Sequence, residues 1–221
     1  MVTKKLKSLK NKRILITAGP TWVPVDSVRV ISNIATGQTG ILLADKLIKS
    51  GAKVTLLLGP GEVCSLNKKV KLIRFKFFDE LRRMIVKEAA CGKYDVVIHS
   101  AAVADYRPQR ILKQKVRSGI KKWQLRLVPT PKLIDSIKKI NRDLLLVGFK
   151  FEPEAPYKIL IPETKSLMAR AKLDLAVANT VYKNRYCAYL VNDKQVYGPV
   201  FNKEDMAGNL VGLIEEELCN R

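Results

Sequence analysis

Residues 95–108, DVVIHSAAVADYRP, decide the fold of this chain. An apolar run without polar alternation that ends in small residues is typical of a central strand in a parallel sheet. Ligands of such sheets bind beyond the carboxyl ends of the strands, where Ala101 and Ala102 leave room. Asp105 follows directly and could bind a hydroxyl group or a metal. The alternative is an ordinary buried strand with a capping aspartate.

The sequence pattern of residues 13–50 predicts a strand, a long loop and a helix. Residues 13–18 form the strand, and Gly19, Pro20 and Thr21 form a turn. The loop at residues 22–35 is apolar enough to argue against disorder, and loops of this length are usually functional. A helix opens at residues 36–40 and ends near residue 50. Its glycines would let an anion approach the backbone N–H groups, although a plain helix cap gives the same pattern.

Strands and helices alternate through most of the remaining chain. Residues 109–121 are predicted as a polar loop, with Thr130 and Pro131 as the cap and first residue of a helix. Predicted strands are residues 53–58, 70–77, 122–128, 144–149 and 173–178, and predicted helices are residues 78–90, 131–140, 159–172 and 202–218. This alternation predicts an α/β fold with a mostly parallel sheet, helices on both faces and a C-terminal β-hairpin at residues 186–201. We expect residues 1–221 to form a single domain.

The composition excludes several classes of protein. A length of 221 residues with 47% hydrophobic content suits a globular domain with a buried core. No apolar run reaches membrane-spanning length, and the basic start, MVTKKLKSLKNKR, lacks the apolar region of a secretory signal. The cysteines form no CxxC pair, so Cys64, Cys91, Cys187 and Cys219 are predicted to be free thiols in a reducing cytoplasm.

The net charge of +21 allows two interpretations. Clustered Lys and Arg residues would favour nucleic-acid binding, because they release counterions from phosphates. Here the basic residues are spread along the whole chain without a zinc finger, an RNP-like motif or interleaved aromatic residues. A basic surface that suits anionic small substrates such as nucleotides is therefore the preferred interpretation.

Six segments in order carry a resemblance to a known family. They are ITAGPTWVPVDSVRVISNIATGQTG, SAAVADYRP, KVRSG, LVPTPKLID, VGF and LDLAVANT. Together they resemble phosphopantothenoylcysteine synthetase, the phosphopantothenate–cysteine ligase of coenzyme A biosynthesis. Nothing here corresponds to the flavin-dependent decarboxylase domain to which many bacterial synthetases are fused, so the expectation is a stand-alone form or a fragment. The resemblance implies a Rossmann-like fold and a homodimer. Residues 22–35 or 186–201 are expected near the dimer interface, because both are unusually apolar for solvated loops.

The resemblance also implies the reaction. A nucleoside triphosphate activates the carboxylate of 4′-phosphopantothenate, which gives an acyl-nucleotide and pyrophosphate. The amine of cysteine then attacks the acyl carbon and releases the nucleoside monophosphate. CTP with Mg²⁺ is the predicted co-substrate, ATP is the alternative, and a separate phosphopantothenoylcysteine decarboxylase is left open as a partner.

This chemistry needs charge neutralisation and oxyanion donors more than a strong base. The chain fits that requirement, because it is basic and its single histidine, His99, lies inside a predicted strand. We therefore expect His99 to be a packed residue rather than a catalyst.

The resemblance assigns site residues position by position. Asn33 matches the asparagine that handles the acyl-nucleotide, although an asparagine here could also be a turn residue. Lys115 matches the lysine of acyl-nucleotide formation, in a KIxS rather than a KxKK motif. The predicted nucleotide-binding residues are Ser100, Ala101, Ala102, Asp105, Lys115, Pro131, Lys132, Leu133, Ile134, Phe149, Lys165 and Arg170, with Lys172 as a further candidate. The predicted substrate-binding residues are Gly19, Thr21, Ser32, Asn33, Thr36 and Gly37. No metal ligand is assigned.

Two other functions remain open. An NAD(P)-dependent reductase on the same fold would need GxGxxG and an acidic residue at the end of the second strand. The chain has GPTWVP and, after the second strand, Gly59 and Pro60 instead. A non-catalytic nucleic-acid-binding protein would bind oligonucleotides with a steep salt dependence and would release no pyrophosphate.

Overall fold

Strands and helices alternate along the chain. The computed structural model describes residues 9–62 and 65–221, so residues 1–8 and Cys64, on which predictions were made, lie outside the described residues. The strands are β1 (Arg13–Ala18), β2 (Trp22–Pro24), β3 (Val30–Ser32), β4 (Lys53–Leu58), β5 (Lys71–Arg74), β6 (Val96–His99), β7 (Tyr106–Pro108), β8 (Leu127–Pro129), β9 (Leu145–Phe151), β10 (Leu175–Tyr182), β11 (Arg185–Val191) and β12 (Val196–Val200). The helices are α1 (Gln38–Lys49), α2 (Phe78–Ala90), α3 (Ile134–Ile140), α4 (Tyr157–Ala171) and α5 (Lys203–Cys219).

Eight strands form one sheet in the order β12-β11-β10-β9-β6-β1-β4-β5. All strands from β5 to β10 in this order are parallel, whereas β11 pairs antiparallel with β10 and β12 pairs antiparallel with β11. The parallel part has the strand order of doubly wound dinucleotide-binding folds. The predicted Rossmann-like α/β fold with a C-terminal hairpin is therefore confirmed. β1 and β6 lie side by side at the centre of the parallel part of the sheet. From β1 the chain continues to β4 on one side, and from β6 it continues to β9 on the other side.

The core covers both faces of this sheet. Leu43 of α1 and Leu210 of α5 pack in one apolar cluster with Ile14 of β1. Leu81 of α2 packs in the other cluster with Leu15, the next residue of β1, and this cluster also contains residues of α3 and α4. Side chains alternate between the faces of a strand, so a central strand covered by helices on both faces must be apolar throughout.

Three local predictions need correction. The strand expected at residues 122–128 is present only as β8, because only Leu127–Pro129 finds a pairing partner, β7. The loop at residues 22–35 contains a small hairpin of β2 and β3. Thr130 is not a helix cap, since α3 begins at Ile134 and the buried Thr130 hydroxyl donates instead to the Ala104 carbonyl at 2.5 Å.

Two expectations about bulk properties can be compared with the structure. Cys91, Cys187 and Cys219 are free thiols, as predicted. None of the helices in residues 9–62 and 65–221 combines the length and apolar character needed to cross a membrane.

We predict that Gly40→Ala destabilises the fold. A Cβ atom at Gly40 would lie 2.3 Å from the Cβ atom of Ala18, so α1 would have to move away from β1. Over-packing of this kind costs about 1–3 kcal/mol of unfolding free energy. Urea denaturation measures the change.

Gly208→Ala is the matched control. Gly208 also lies inside a helix, α5, but nothing lies within 4 Å of a Cβ atom added there. Alanine favours a helix over glycine by about 1 kcal/mol, so this variant should be as stable as the original or more so. Equal unfolding free energies for the two variants would contradict the close packing of α1 on β1.

Candidate functional site

The predicted site lies beyond the carboxyl ends of β1 and β6, where the direction of the chain reverses. The Ala102 N–H donates to the Gly19 carbonyl at 2.9 Å, and the Thr21 N–H donates to the Ala102 carbonyl at 3.3 Å. The two strands therefore continue side by side past the sheet. Open α/β sheets bind ligands in the crevice at this position. The structure thus brings together two groups of residues that the sequence predicted separately.

The loop before α1 lies against the turn after β1. A Cβ atom at Gly37 would lie 2.7 Å from Cδ1 of Leu58 and 3.3 Å from the backbone nitrogen of Gly19. Gly19 and Gly37 also have φ values of +78° and +77°, which favour glycine. This contact places the predicted substrate-binding residues Thr36 and Gly37 beside Gly19. The start of α1, where backbone N–H groups favour anions, therefore faces the same region.

Hydroxyl groups of Ser100 and Thr21 form hydrogen bonds that join β1 and the turn after it to the segment that follows β6. Ser100 Oγ donates to the Thr17 carbonyl at 2.8 Å. The Ala104 N–H donates to Thr21 Oγ1 at 2.9 Å. The side chain of Thr21 is buried, so a substrate at this position would contact the turn through its backbone rather than through the Thr21 hydroxyl.

His99 is buried at the end of β6, and its Nδ1 forms a 2.8 Å hydrogen bond with Thr17 Oγ1. Burial lowers the pKa of His99 to about 4, from an ordinary value of 6.5. The imidazole is therefore neutral at physiological pH. Its position agrees with the expectation of a packed residue.

We predict that the imidazole of His99 does not titrate between pH 7.5 and about 5.5. Because its pKa is lowered on folding, neutral His99 supports the folded state fully above pH 6.5, and this support is lost as the pH falls towards 4. The chain has one histidine, so its NMR signals can be assigned without ambiguity. A midpoint near pH 6.5 in the folded protein would contradict this burial.

The hairpin of β2 and β3 carries Asn33 to the end of β6. Asn33 Nδ2 donates to the carbonyls of Ala102 and Val103 at 3.2 and 3.1 Å. Ser32 Oγ donates to the Thr21 carbonyl at 3.2 Å. Both predicted substrate-binding residues of this hairpin therefore contact the segments that follow β1 and β6.

Asp105 and Lys132, both predicted to contact the nucleotide, contact each other. Lys132 Nζ lies 2.6 Å from Asp105 Oδ1, and both side chains are exposed. The next two residues of the predicted nucleotide contact, Leu133 and Ile134, are buried in the core. Pro131 is exposed. The segment at residues 131–134 can therefore offer a ligand its backbone and the Lys132 ammonium.

The remaining predicted nucleotide-binding residues are distributed over β9 and α4. Phe149 lies on β9 and is half-buried against the core. Arg170 Nε donates to Asp135 Oδ1 at 3.2 Å, which joins α4 to the first turn of α3, directly after Ile134. Lys165 and Lys172 are exposed. Within the described residues, no hydrogen bond or ion pair connects Lys165 or Lys172 to the segments at Gly19 and Ala102.

Lys115 lies on the exposed segment that connects β7 to β8. The neighbouring residue, Val116, donates its N–H to Asp26 and accepts at its carbonyl from the Arg29 guanidinium, both in the β2–β3 hairpin. Lys115 itself forms no ion pair with any residue in the described part of the chain. Its ammonium charge is therefore not neutralised by the protein.

Asp26, at the tip of the β2–β3 hairpin, is a buried carboxylate to which the sequence prediction assigned no role. Its Oδ1 accepts hydrogen bonds from the N–H groups of Val28 and Arg29, both at 2.9 Å. Its Oδ2 accepts from the Arg29 guanidinium at 2.5 Å and from the Val116 N–H at 3.1 Å. Aspartate before such a turn is a recognisable sequence signal, but the contact with Val116 spans 90 residues and has none.

These contacts keep the carboxylate of Asp26 ionised. Burial alone would raise its pKa, but the amides of Val28 and Val116 and the guanidinium and amide of Arg29 outweigh burial and lower the pKa to about 2. Asp26 is therefore a buried carboxylate whose charge is fully matched by donors, which is the condition under which buried charges are tolerated.

A concave surface lies at the end of the sheet opposite to the candidate site. A cavity of about 710 Å³ opens near the amino ends of β1, β4 and β5. Its cationic lining residues are Arg13, Lys53, Lys69, Lys71 and Lys93. None of these forms an ion pair with a carboxylate in the described residues. The cavity contains no predicted site residue.

No group of three His, Cys, Asp or Glu side chains in residues 9–62 and 65–221 could hold a metal ion. Asp105 is the one predicted site residue with a carboxylate. Mg²⁺ usually binds proteins through one or two carboxylates and completes its coordination with substrate phosphates and water. Asp105 therefore fits a magnesium ion that arrives with a nucleotide rather than one held by the protein alone.

Comparisons with known proteins find relatives over most of the chain. The family described as DNA/pantothenate metabolism flavoprotein C-terminal domain matches residues 9–217. The coenzyme A biosynthesis bifunctional protein CoaBC of Thermococcus kodakarensis is 38% identical over 215 residues, which are 97% of this chain and 51% of that protein. The chain thus spans about half the length of the curated relatives that it matches.

Two solved structures share the fold. The C-terminal domain of a coenzyme A biosynthesis bifunctional protein CoaBC has a TM-score of 0.80 and 25% identity, covering 97% of this chain and 100% of that one. A Cab2 mutant in complex with phosphopantothenate-cysteine has a TM-score of 0.75 and 17% identity, covering 94% of this chain and 87% of that one.

Proposed function

The chain belongs to the DNA/pantothenate metabolism flavoprotein C-terminal domain family, and from this premise we propose that it ligates 4′-phosphopantothenate to cysteine in coenzyme A biosynthesis. The observation that carries the proposal is the convergence at the ends of β1 and β6. There the turn at Gly19, the small residues after β6 and Asn33 are joined by hydrogen bonds. The substrate assignment is supported by the ligand of the Cab2 structure and by the relatives' role in coenzyme A biosynthesis.

We propose an acyl-nucleotide mechanism for this ligation. Attack of a carboxylate on an α-phosphate brings two anions together, so the transition state gains most from nearby positive charge. The start of α1 offers partial positive charge through its N–H groups, and Lys132 offers an ammonium that is paired with Asp105 in the structure. Lys115 adds a second ammonium, which forms no ion pair within the described residues. Cysteine would then attack the acyl carbon and release the nucleoside monophosphate.

Asn33 could act in the second half-reaction, the attack of cysteine on the acyl carbon, if its amide exchanges one of its present hydrogen bonds. Its amide could donate to the acyl oxygen without adding charge, but both Nδ2 contacts in the structure are to backbone carbonyls. Donation to a substrate would therefore replace one of these bonds. The exchange costs little, because an exposed amide trades one hydrogen bond for another of similar strength.

CTP with Mg²⁺ is the nucleotide that we propose, and ATP is the alternative. The predicted contacts are the backbone around Ala101, the segment at residues 131–134 and Phe149. Backbone donors and acceptors at such positions can distinguish the polar edges of two bases. Asp105 would hold the magnesium ion together with the triphosphate, after release of Lys132 to a phosphate.

The proposal also covers the oligomeric state and the cellular location of the enzyme. We propose a homodimer in the cytoplasm, acting as a single ligase domain, with a separate phosphopantothenoylcysteine decarboxylase left open as a partner. Exposed apolar residues support association: Val28 and Ile34 in the 22–35 region are 64% and 107% exposed, and Phe201 of the 186–201 region is 68% exposed. The connection between β7 and β8 adds Ile111 and Ile120, at 58% and 53%.

The reductase alternative is disfavoured by the end of β4. An acidic residue that binds a ribose would stand there, but the position is Gly59, where an added Cβ atom would lie 2.2 Å from the Pro20 carbonyl oxygen. Neither the acidic residue nor space for it is present. A reductase would therefore need a different cofactor contact.

The proposed function predicts pyrophosphate release that depends on phosphopantothenate. With CTP, phosphopantothenate and Mg²⁺ but no cysteine, the first half-reaction should release pyrophosphate, and cysteine should allow turnover. CTP should be used faster than ATP at equal concentration. Faster turnover with ATP would overturn the nucleotide assignment. No pyrophosphate with either nucleotide, together with salt-dependent oligonucleotide binding, would favour the nucleic-acid alternative.

We predict that Lys115→Gln abolishes pyrophosphate release even without cysteine. The exposed ammonium can neutralise charge that develops in the transition state, whereas a merely solvated lysine would have almost no effect when its charge is removed. The fold should be unchanged, because exposed substitutions usually alter stability by less than about 0.5 kcal/mol. Lys113→Gln, two residues away on the same segment, is the control and should be mild. Small, equal effects of the two substitutions would remove Lys115 from the mechanism.

A further inference from the structure

The segment that carries Lys115 is attached to the rest of the protein at a few points. The Leu112 N–H donates to the Val25 carbonyl at 3.0 Å. The Val116 N–H donates to Asp26 Oδ2 at 3.1 Å, and the Val116 carbonyl accepts from the Arg29 guanidinium at 3.3 Å. These anchors all belong to the tip of the β2–β3 hairpin. Lys115 lies between them, exposed to solvent.

A further contact joins the same two regions. The guanidinium carbon of Arg29 lies 5.2 Å from the centre of the Trp123 ring, within the range of a cation–π interaction. Arg29 itself is held by Asp26 through both its side chain and its N–H. The hairpin tip therefore binds the 109–126 segment mainly through Asp26 and the arginine that Asp26 orients.

The two oxygens of Asp26 have separate partners. Among the described residues, Oδ1 accepts from N–H groups of its own turn, those of Val28 and Arg29. Oδ2 accepts from Val116, on the distant segment, and from the Arg29 side chain. The side chain of Asp26 is fully buried. One oxygen therefore shapes the hairpin tip, and the other holds the segment.

The bond to Val116 acts directly on Lys115. A peptide group is planar from one Cα atom to the next, so the Val116 N–H lies in the same plane as the Cα atom of Lys115. An acceptor that fixes this N–H also fixes the orientation of that plane. The starting point of the Lys115 side chain is thereby set, although its ammonium remains in solvent.

The same hairpin also places Asn33, which follows β3 directly. The register of β2 and β3, with Pro24 opposite Val30, sets the path from the tip to Asn33. Asn33 is bonded at its other side to the end of β6. The Asp26–Val116 bond thus links the segment that bears Lys115 to the hairpin that precedes Asn33.

We propose that Asp26 is a positioning residue that holds Lys115 in place for acyl-nucleotide formation through the Val116 N–H. This inference rests on the proposed function. It assigns Asp26 no contact with substrate or nucleotide, so the residue should affect the rate of the first half-reaction rather than nucleotide affinity. Displacing a reacting group by about 1 Å can cost about 100-fold in rate.

Asp26→Asn tests the proposal. The variant keeps one oxygen for the turn N–H groups but replaces Oδ2 with an NH₂ group, which faces the Val116 N–H and the guanidinium with a donor. We expect kcat for pyrophosphate release to fall by about 10- to 100-fold, with KM for the nucleotide changed by less than about threefold. Trypsin should also cleave the folded protein faster after Lys113, Lys115 and Arg117. Nucleotide KM and kcat that both remain unchanged would overturn the proposal.

Two comparisons separate positioning from a general loss of structure. Asp45→Asn removes a carboxylate that also accepts hydrogen bonds, from Lys49 and Asn67, but on α1. This control should keep both kcat and the cleavage pattern. A loss of kcat in Asp26→Asn that merely follows its folded fraction in urea denaturation would overturn positioning. If Asp26→Asn does not fold, Val116→Pro deletes the N–H while keeping the carboxylate, and normal kcat in that variant would overturn the proposal.

Failure of the proposed function would look different. The original chain would then release no pyrophosphate with any nucleoside triphosphate and phosphopantothenate. Trypsin protection still tests the attachment in that case. Faster cleavage of the segment in Asp26→Asn would support it, and unchanged cleavage would overturn it.

Discussion

The adjacent placement of β1 and β6 is the constraint on which the rest of the structure depends. Both strands are buried on two faces, so they must lie at the centre of the sheet. The chain leaves them in opposite directions, which opens a crevice beyond their ends. The bonds between Gly19, Thr21 and Ala102 extend their pairing into that crevice. The candidate site is therefore built by the same arrangement that builds the core.

Much of this arrangement could be predicted from the sequence, because it depends on local patterns. The apolar runs at residues 13–18 and 95–99 predicted buried parallel strands, and the glycine turn after Ala18 predicted where the first strand ends. The prediction of a strand at 122–128 was wrong because strand formation also depends on a distant pairing partner. Alternation shows that a segment could form a strand but not whether a partner exists, and only Leu127–Pro129 has one.

The candidate site was predictable only in part, since its residues contact each other across long sequence separations. The small residues after β6 and the glycines before α1 have local signals. The Asp26–Val116 contact has none, because a buried carboxylate that matches a distant N–H looks in sequence like an ordinary turn aspartate. The prediction of Thr130 as a helix cap was wrong for the same reason. Its sequence pattern suits a cap, but its hydroxyl donates to the carbonyl of Ala104, 26 residues away.

The site and the core are held by different forces. The sheet is stabilised by apolar side chains on both faces, whereas Asn33, Asp105 and Lys115 lie outside it on short strands and connections held mainly by hydrogen bonds. Polar attachments of this kind contribute about 1 kcal/mol each, so they can shift without unfolding the sheet. In the proposed mechanism, these residues bind and release a charged intermediate, which such mobility would favour. Asp26 restrains the attachment of the segment that bears Lys115, because its buried carboxylate accepts hydrogen bonds from both the hairpin and that segment.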